Sequence, residues 1–294
     1  MQSERIGHFA ANIELYLCEK DHGINIPKKP YMDFWYHSWP ICNEQLATMW
    51  NRTLHVGPRC LLAPLDNIIS VVSKQSTHKV SNNSDTDRDV NNLLDNTQPH
   101  LNFLPSEEKR GEAKLREMGI PEGAPFVVLI VRDSSYLEHQ SENLNLEVDW
   151  SYHDYRDCDV QNYILAAKEL ADRGHYVIRM GAVVKESMNV DHPMIIDYAT
   201  NGMRSDFMDV YLGAKCAFCI SNGTGYDALP YNFRRPVIFV DHVPLMAIDT
   251  YNENVLITTK KHWLRKENRF MTFQEIFRFS THGGNDPFTI HEIL

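Results

Sequence analysis

Phe126-Val-Val-Leu-Ile-Val131, running straight into Arg132-Asp133-Ser134, decides how this chain folds. The run is short, continuously apolar and rich in β-branched residues. Such a run reads as a strand covered on both faces. Working downstream, His175 to Met180, Met194 to Asp197, Cys216 to Ile220, Pro236 to Val240 and Val255 to Thr258 have the same character. Between them lie helical patterns: a helix capped by Asp159 and closed by Gly174, and helices over Asp206–Ala214, Tyr226–Phe233 and Phe273–Phe279. Strands alternating with helices make βαβ units, a parallel sheet and right-handed crossovers. The expected class is α/β, with a doubly wound parallel sheet in the C-terminal part.

Upstream the pattern is less regular. Ile6, Phe9, Ile13, Tyr16 and Leu17 fall on one stripe of a helix over residues 5–19. Met32–Tyr36 and Thr53–Val56 read as short strands. Asn43 suits the N-cap of a helix through Trp50, and Leu61–Val72 reads as another helix. Residues 73–100 are polar and rich in Ser, Asn and Asp, as in a loop or linker. Ser106–Met118 is a charged helix ended by Gly119. The division expected is an N-terminal domain over 1–104 and a C-terminal domain over 105–294. Doubly wound domains usually open with a strand, and this chain opens with a helix. The N-terminal domain is therefore expected to be truncated.

The 294 residues carry a net charge of −10. Such a chain has no overall field for nucleic acid, so any anionic ligand must be met by local arginines and backbone amides. No apolar stretch is long enough to span a membrane, and no secretory leader pattern is present. The expected location is the cytoplasm, with peripheral membrane contact left open. The six cysteines are scattered and are expected to be free thiols. Cys216 and Cys219 lie in an apolar strand-like run, and no second ligand pair completes a zinc site.

Ligands of open parallel sheets bind beyond the carboxyl ends of the strands, where strand order reverses. With the common order 3-2-1-4-5-6, that point lies between the first and fourth strands. After the first come Arg132 and Asp133; after the fourth comes Ser221-Asn222-Gly223-Thr224-Gly225. The neighbouring second strand ends in Arg179-Met180-Gly181. Glycines let backbone N–H groups approach a ligand, and a following helix start suits a diphosphate. Arg132 or Arg179 can add a bidentate phosphate contact. Asp227 can accept from ribose hydroxyls. His153 and Arg156, after the first strand, and Arg204, before a helix, are further candidates. Asp206 reads as that helix's N-cap. His8, in Arg5-Ile6-Gly7-His8, is a candidate general base, with Asp133 as its competitor. Trp35, Tyr36, Trp39 and Trp50 suit either core packing or an acceptor pocket. Neither the dinucleotide GxGxxG pattern nor a Walker motif is present.

Four segments together resemble a family of largely uncharacterised bacterial glycosyltransferases linked to surface-polysaccharide synthesis. They are ERIGHFAANIELYL (4–17), FVVLIVRDSSYL (126–137), YRDCDVQNYILAAKELADRGHYVIRMG (155–181) and RSDFMDVYLGAKCAFCISNGTGYDALPYNFRRPVIFVD (204–241). More distantly, the last segment is similar to the donor half of two-domain (GT-B) glycosyltransferases. The resemblance implies two Rossmann-like domains facing a cleft, a nucleotide-sugar donor, a glycan or lipid-linked acceptor and no obligatory metal or other cofactor. It places Asp227 where that group has its ribose-binding acid, with a longer interval to Pro236. The expected activity is glycosyl transfer. A nucleotide-sugar epimerase and a non-catalytic nucleotide-sugar-binding protein are the alternatives.

Overall fold

The computed structural model describes residues 1–72, 88–144, 149–245, 248, 253–265 and 267–281. Six parallel strands form its sheet: β1 (Phe126–Ile130), β2 (Tyr176–Met180), β3 (Ile195–Ile196), β4 (Cys219–Ser221), β5 (Val237–His242) and β6 (Val255–Thr259). Their order is β3-β2-β1-β4-β5-β6, with β1 paired to β2 on one side and to β4 on the other. The reversal of strand order therefore lies between β1 and β4, as the sequence predicts. A small antiparallel pair, β7 (Trp263–Leu264) and β8 (Arg269–Phe270), stands apart.

Side chains of a strand alternate between faces, and β1 shows what that does here. Phe126, Val128 and Ile130 enter one core, whereas Val127 and Leu129 enter another. The second core is closed by Ala167 and Ala171 of a helix over Ile164–Asp172 and by Val160 and Tyr163 of the 3₁₀ turn before it. Every residue of β1 is buried, which is why the run lacks polar alternation.

In chain order the helices are α1 (Ile6–Asp21), α2 (Glu44–Thr53), α3 (Arg59–Val72), α4 (Pro105–Glu117), α5 (Ser135–Leu144), α6 (Ile164–Asp172), α7 (Asp206–Lys215), α8 (Ala228–Asn232) and α9 (Phe273–Thr281). Asn43 caps α2 as expected, its Oδ1 accepting from Leu46 N–H at 2.8 Å. For α7 the cap is Ser205, not Asp206. The Asp206 carboxylate instead accepts from Glu44 N–H at 2.8 Å, so the start of α7 stabilises the start of α2.

Two expectations need correction. The first 72 residues hold no sheet of their own. Where strands were expected at 32–36 and 53–56 there is one parallel bridge, Trp35 to Val56, and Thr53 is still in α2. Nor do α1 and α2 enclose a core of their own: Phe9, Ala10, Leu46, Met49 and Trp50 join Val128, Ile178 and Phe239 in a single core, with α7 and α8. Trp50 is fully buried, its Nε1 donating to Phe9 C=O. The amphipathic periods in 5–19 and 43–50 were correctly helical, but their apolar faces cover the C-terminal sheet. Second, Cys216 ends α7 and only Cys219 lies on a strand; both are buried thiols. Of the polar stretch 73–100, residues 73–87 lie outside the described residues, and the remainder contains one 3₁₀ turn, Leu94–Asn96.

Candidate anion-binding site

Beyond β1 and β4 the two chain segments are tied by one side chain. Asn222, fully buried, accepts from the Arg132 backbone N–H at 2.9 Å and donates from Nδ2 to Arg156 C=O at 3.2 Å. Arg156 returns the connection, its Nη2 donating to Gly223 C=O at 2.6 Å. Cys158 N–H donates to Arg132 C=O, and Lys260, just past β6, donates to Tyr155 C=O and Asp157 C=O. The segment 155–158 is thus held against the ends of β1 and β6, and both guanidinium stems are fixed at the strand-order reversal.

The electrostatics are cationic. Burial and the neighbouring Arg156 charge both lower the Arg132 pKa, against the pull of Asp157. Burial, then Arg132, Arg156 and Arg5, lower that of His153. Asp157 Oδ1 lies 3.2 Å from Arg132 Nε without being aligned as a hydrogen bond, and burial raises its pKa despite that guanidinium. Arg132 Nε and Arg156 Nε are buried donors without hydrogen-bond partners among the described residues. Two like charges held close in a half-buried setting, with donors to spare, favour an anion between them.

The opening of α1 meets the loop that follows β4. A Cβ placed on Gly7 would lie 3.0 Å from Gly225 Cα, so backbone meets backbone there and only glycines allow it. His8 follows Gly7 on α1. Arg5, at the N-cap of α1, places its guanidinium 5.8 Å from the centre of the Trp150 ring, and Trp150 stacks on His153. Sequence reasoning missed Arg5 and Trp150. The only signal was that Arg5 opens an N-terminal helix, and its partner lies 145 positions away.

Other expected site residues take internal positions. Arg179 is 1% exposed and pairs with Asp197 at 3.1 Å on the α6 side of the sheet. It is paired in register with Leu129, one residue short of the strand end, so it does not reach the reversal point. Gly181, after β2, leaves room for Val184. Asp227 Oδ2 accepts from Ser221 Oγ at 2.9 Å and from Thr224 N–H at 2.8 Å, and thereby folds the 221–225 loop onto itself. The helix after it, α8, has five residues and offers a much smaller dipole than expected. Gly223, with φ +88°, supplies the left-handed turn. Asp133 uses both carboxylate oxygens, accepting from Ser135 N–H and Lys185 N–H. Arg204 pairs with Asp209 at 2.7 Å, and burial pushes the Asp209 pKa up to about 6.

Glu14, Cys18 and His100 bring ligand-type atoms within 4.8 Å of one another. A cation already sits among them: Arg234 Nη2 is 2.7 Å from Glu14 Oε1 and 3.6 Å from Cys18 Sγ. The cluster is a buried ion network joining α1 to the residues after α8. A separate cavity of about 400 Å³, lined in part by Glu108, Arg116, Tyr211, Lys215 and Arg235, lies at the amino ends of β1 and β4, the edge opposite the arginine pair.

No family model and no curated protein matches the chain. Among solved structures, the E. coli ADP-heptose LPS heptosyltransferase II aligns with a TM-score of 0.38 and 14% identity. The alignment covers 56% of this chain and 48% of that one, so it spans about half of the enzyme's length. No helix among the described residues is long and apolar enough to cross a membrane.

Proposed function

We propose that this chain is a glycosyltransferase that takes a nucleotide-sugar as donor and holds the diphosphate between Arg132 and Arg156, beside the Asn222–Gly225 loop. One observation supports this reading above the others: Asn222 ties the backbones of Arg132 and Arg156 together at the β1–β4 reversal, and Arg156 Nε is a buried donor without a hydrogen-bond partner among the described residues. In transfer, negative charge grows on the leaving nucleotide. Preorganised guanidinium groups in a half-buried site stabilise that charge more than they stabilise the ground state. In this reading they supply the neutralisation that some transferases take from a divalent cation, and activity persists in a chelator. His8 is the proposed base toward a hydroxyl acceptor on a glycan or lipid-linked sugar. Asp133 is a poorer base than expected, since both of its oxygens already accept backbone N–H groups.

That last observation also favours a second reading, a nucleotide-sugar-binding protein without turnover. A thermal-shift panel of UDP-, GDP-, ADP- and CMP-linked sugars tests the common part, because a ligand bound only by the folded chain raises its melting temperature. If no member of the panel stabilises the wild type, or if Arg132→Ala and Arg156→Ala are stabilised as much as the wild type, the diphosphate reading fails. Release of nucleotide that depends on added acceptor separates transfer from binding alone.

A further inference from the structure

The N-terminal surface carries a feature unconnected with the arginine site. Of the eighteen large apolar side chains that stand exposed among the described residues, ten lie between Ile26 and Val71. On α3, Leu61, Leu65 and Ile68 repeat at helical spacing and are each more than half exposed. Its other side faces the protein, where Leu62 packs toward Gly57 and Asp66 accepts from Tyr36 Oη at 2.7 Å. The Tyr36 contact and the Trp35–Val56 bridge fasten the segment carrying Phe34, itself 63% exposed, beside the start of this helix. Exposed apolar side chains concentrated in one part of the chain point to an interaction site.

The charges around it indicate what is met. The chain has a net charge of −10, yet residues 24–72 hold four basic and three acidic side chains. Asp33 is taken up by Lys20, and Asp66 accepts from Tyr36. Lys28, Lys29 and Arg59 stand exposed. We propose that α3 and the segment before it form a docking surface for an anionic lipid bilayer, with Leu61, Leu65 and Ile68 entering the headgroup–acyl boundary and Lys28, Lys29 and Arg59 meeting lipid phosphates. An apolar helix face that opens on Arg59, preceded by a segment with exposed lysines and aromatic side chains, has the chemistry of interfacial binding. A second copy of the chain would bring the same basic charges face to face, whereas an anionic surface complements them. The proposal stands whether or not the chain transfers sugar.

Co-sedimentation of the full chain with vesicles tests it. The chain is expected to pellet with phosphatidylcholine vesicles containing phosphatidylglycerol, far less with phosphatidylcholine alone, and less as salt rises. Leu65→Glu with Ile68→Glu should lower the bound fraction at least about tenfold. Both positions are exposed, so the fold should survive, as an unchanged circular dichroism melt would show. Lys28→Glu with Lys29→Glu, which leaves the helix intact, should abolish the preference for anionic lipid. The proposal is overturned if the wild type stays in the supernatant with both vesicles. Equal pelleting of wild type and charge-reversed variant also overturns it. So does a dimer in light scattering that the Leu65/Ile68 variant splits, since a second copy would then cover the stripe.

Discussion

The side-chain amide of Asn222 joins the end of β1 to the segment that follows it, accepting from Arg132 N–H and donating to Arg156 C=O. One residue therefore ties together the backbones that carry two guanidinium groups. Asn222→Ala leaves a buried N–H and C=O unmet, at about 1–3 kcal/mol each. The variant should melt lower and bind nucleotide-sugar about 10- to 100-fold more weakly than the wild type, given about 1.4 kcal/mol per factor of ten. Isothermal titration beside a melting curve checks both. An affinity loss no larger than that of a remote substitution with equal destabilisation would remove the positioning role.

Direct contact should cost a similar amount. A charge-assisted hydrogen bond contributes about 1.5–3 kcal/mol, so Arg132→Ala or Arg156→Ala should weaken diphosphate binding by at least about tenfold. Arg179→Met should lower stability through the partly buried Asp197 it leaves behind, while any binding that survives keeps the wild-type dissociation constant. Titration calorimetry on the three variants separates these roles.

How much of this was legible beforehand depends on range. The strand order follows from local patterns, because a fully buried strand such as Phe126–Ile130 must be apolar throughout. Arg132 and the Asn222–Gly225 loop meet because topology brings strand ends together. Arg179 was misplaced because its position near a strand end suggested the cleft. The alternation Val177, Arg179 already put it on the apolar α6 side, and its partner Asp197 is a tertiary fact. Asp227 was misread for a similar reason: nothing local says that Ser221 and Thr224 use its carboxylate. In the first hundred residues helical periods were plain, but a period does not tell which sheet an apolar face will cover.

Gly225 and Gly7 form a contact that side chains forbid. Gly225→Val would press a branched side chain on the backbone at Gly7 N, 3.2 Å from the position of a Cβ. Overpacking of that kind costs about 1–3 kcal/mol. The start of α1 should swing away, carrying Arg5 and His8 with it. Slower amide exchange in the wild type than in the variant over residues 6–12, together with lost turnover or binding, is the expected result.

Two histidines give opposite pH dependences. Burial and neighbouring arginines lower the His153 pKa, so its contribution to stability is full above the unfolded value near ~6.5 and is lost as pH falls through the folded value. Diphosphate binding should instead strengthen on acidification, as the imidazolium adds a cation, and His153→Gln should flatten that rise. His100 lies between Glu14 and Asp21; burial opposes its protonation, but hydrogen bonds to Cys18 and Glu14 and the Glu14 charge win and push it up to about 10. Its contribution is full below ~6.5 and is lost as pH rises through the folded value. Denaturation midpoints from pH 6 to pH 10, for wild type and His100→Gln, should diverge at low pH and converge at high pH.

Glu14 is fully buried, and its partner Arg234 holds it from across the fold. Arg234→Met should lower stability by leaving that carboxylate to His100, while Glu14→Gln with Arg234→Met should recover part of the loss. Urea melts of the single and double variants test this coupling; additive losses would dissolve the pair.

Because the acid at the head of α8 is spent on knitting its own loop, the anion site proposed beside it has no carboxylate from that quarter to grip a pentose. If the proposed donor binds there, discrimination rests on its negative charge and on the flat Trp150–His153 stack. A pocket built that way ranks its guests by phosphate content and planar rings, and a missing 2′-hydroxyl should matter little to it.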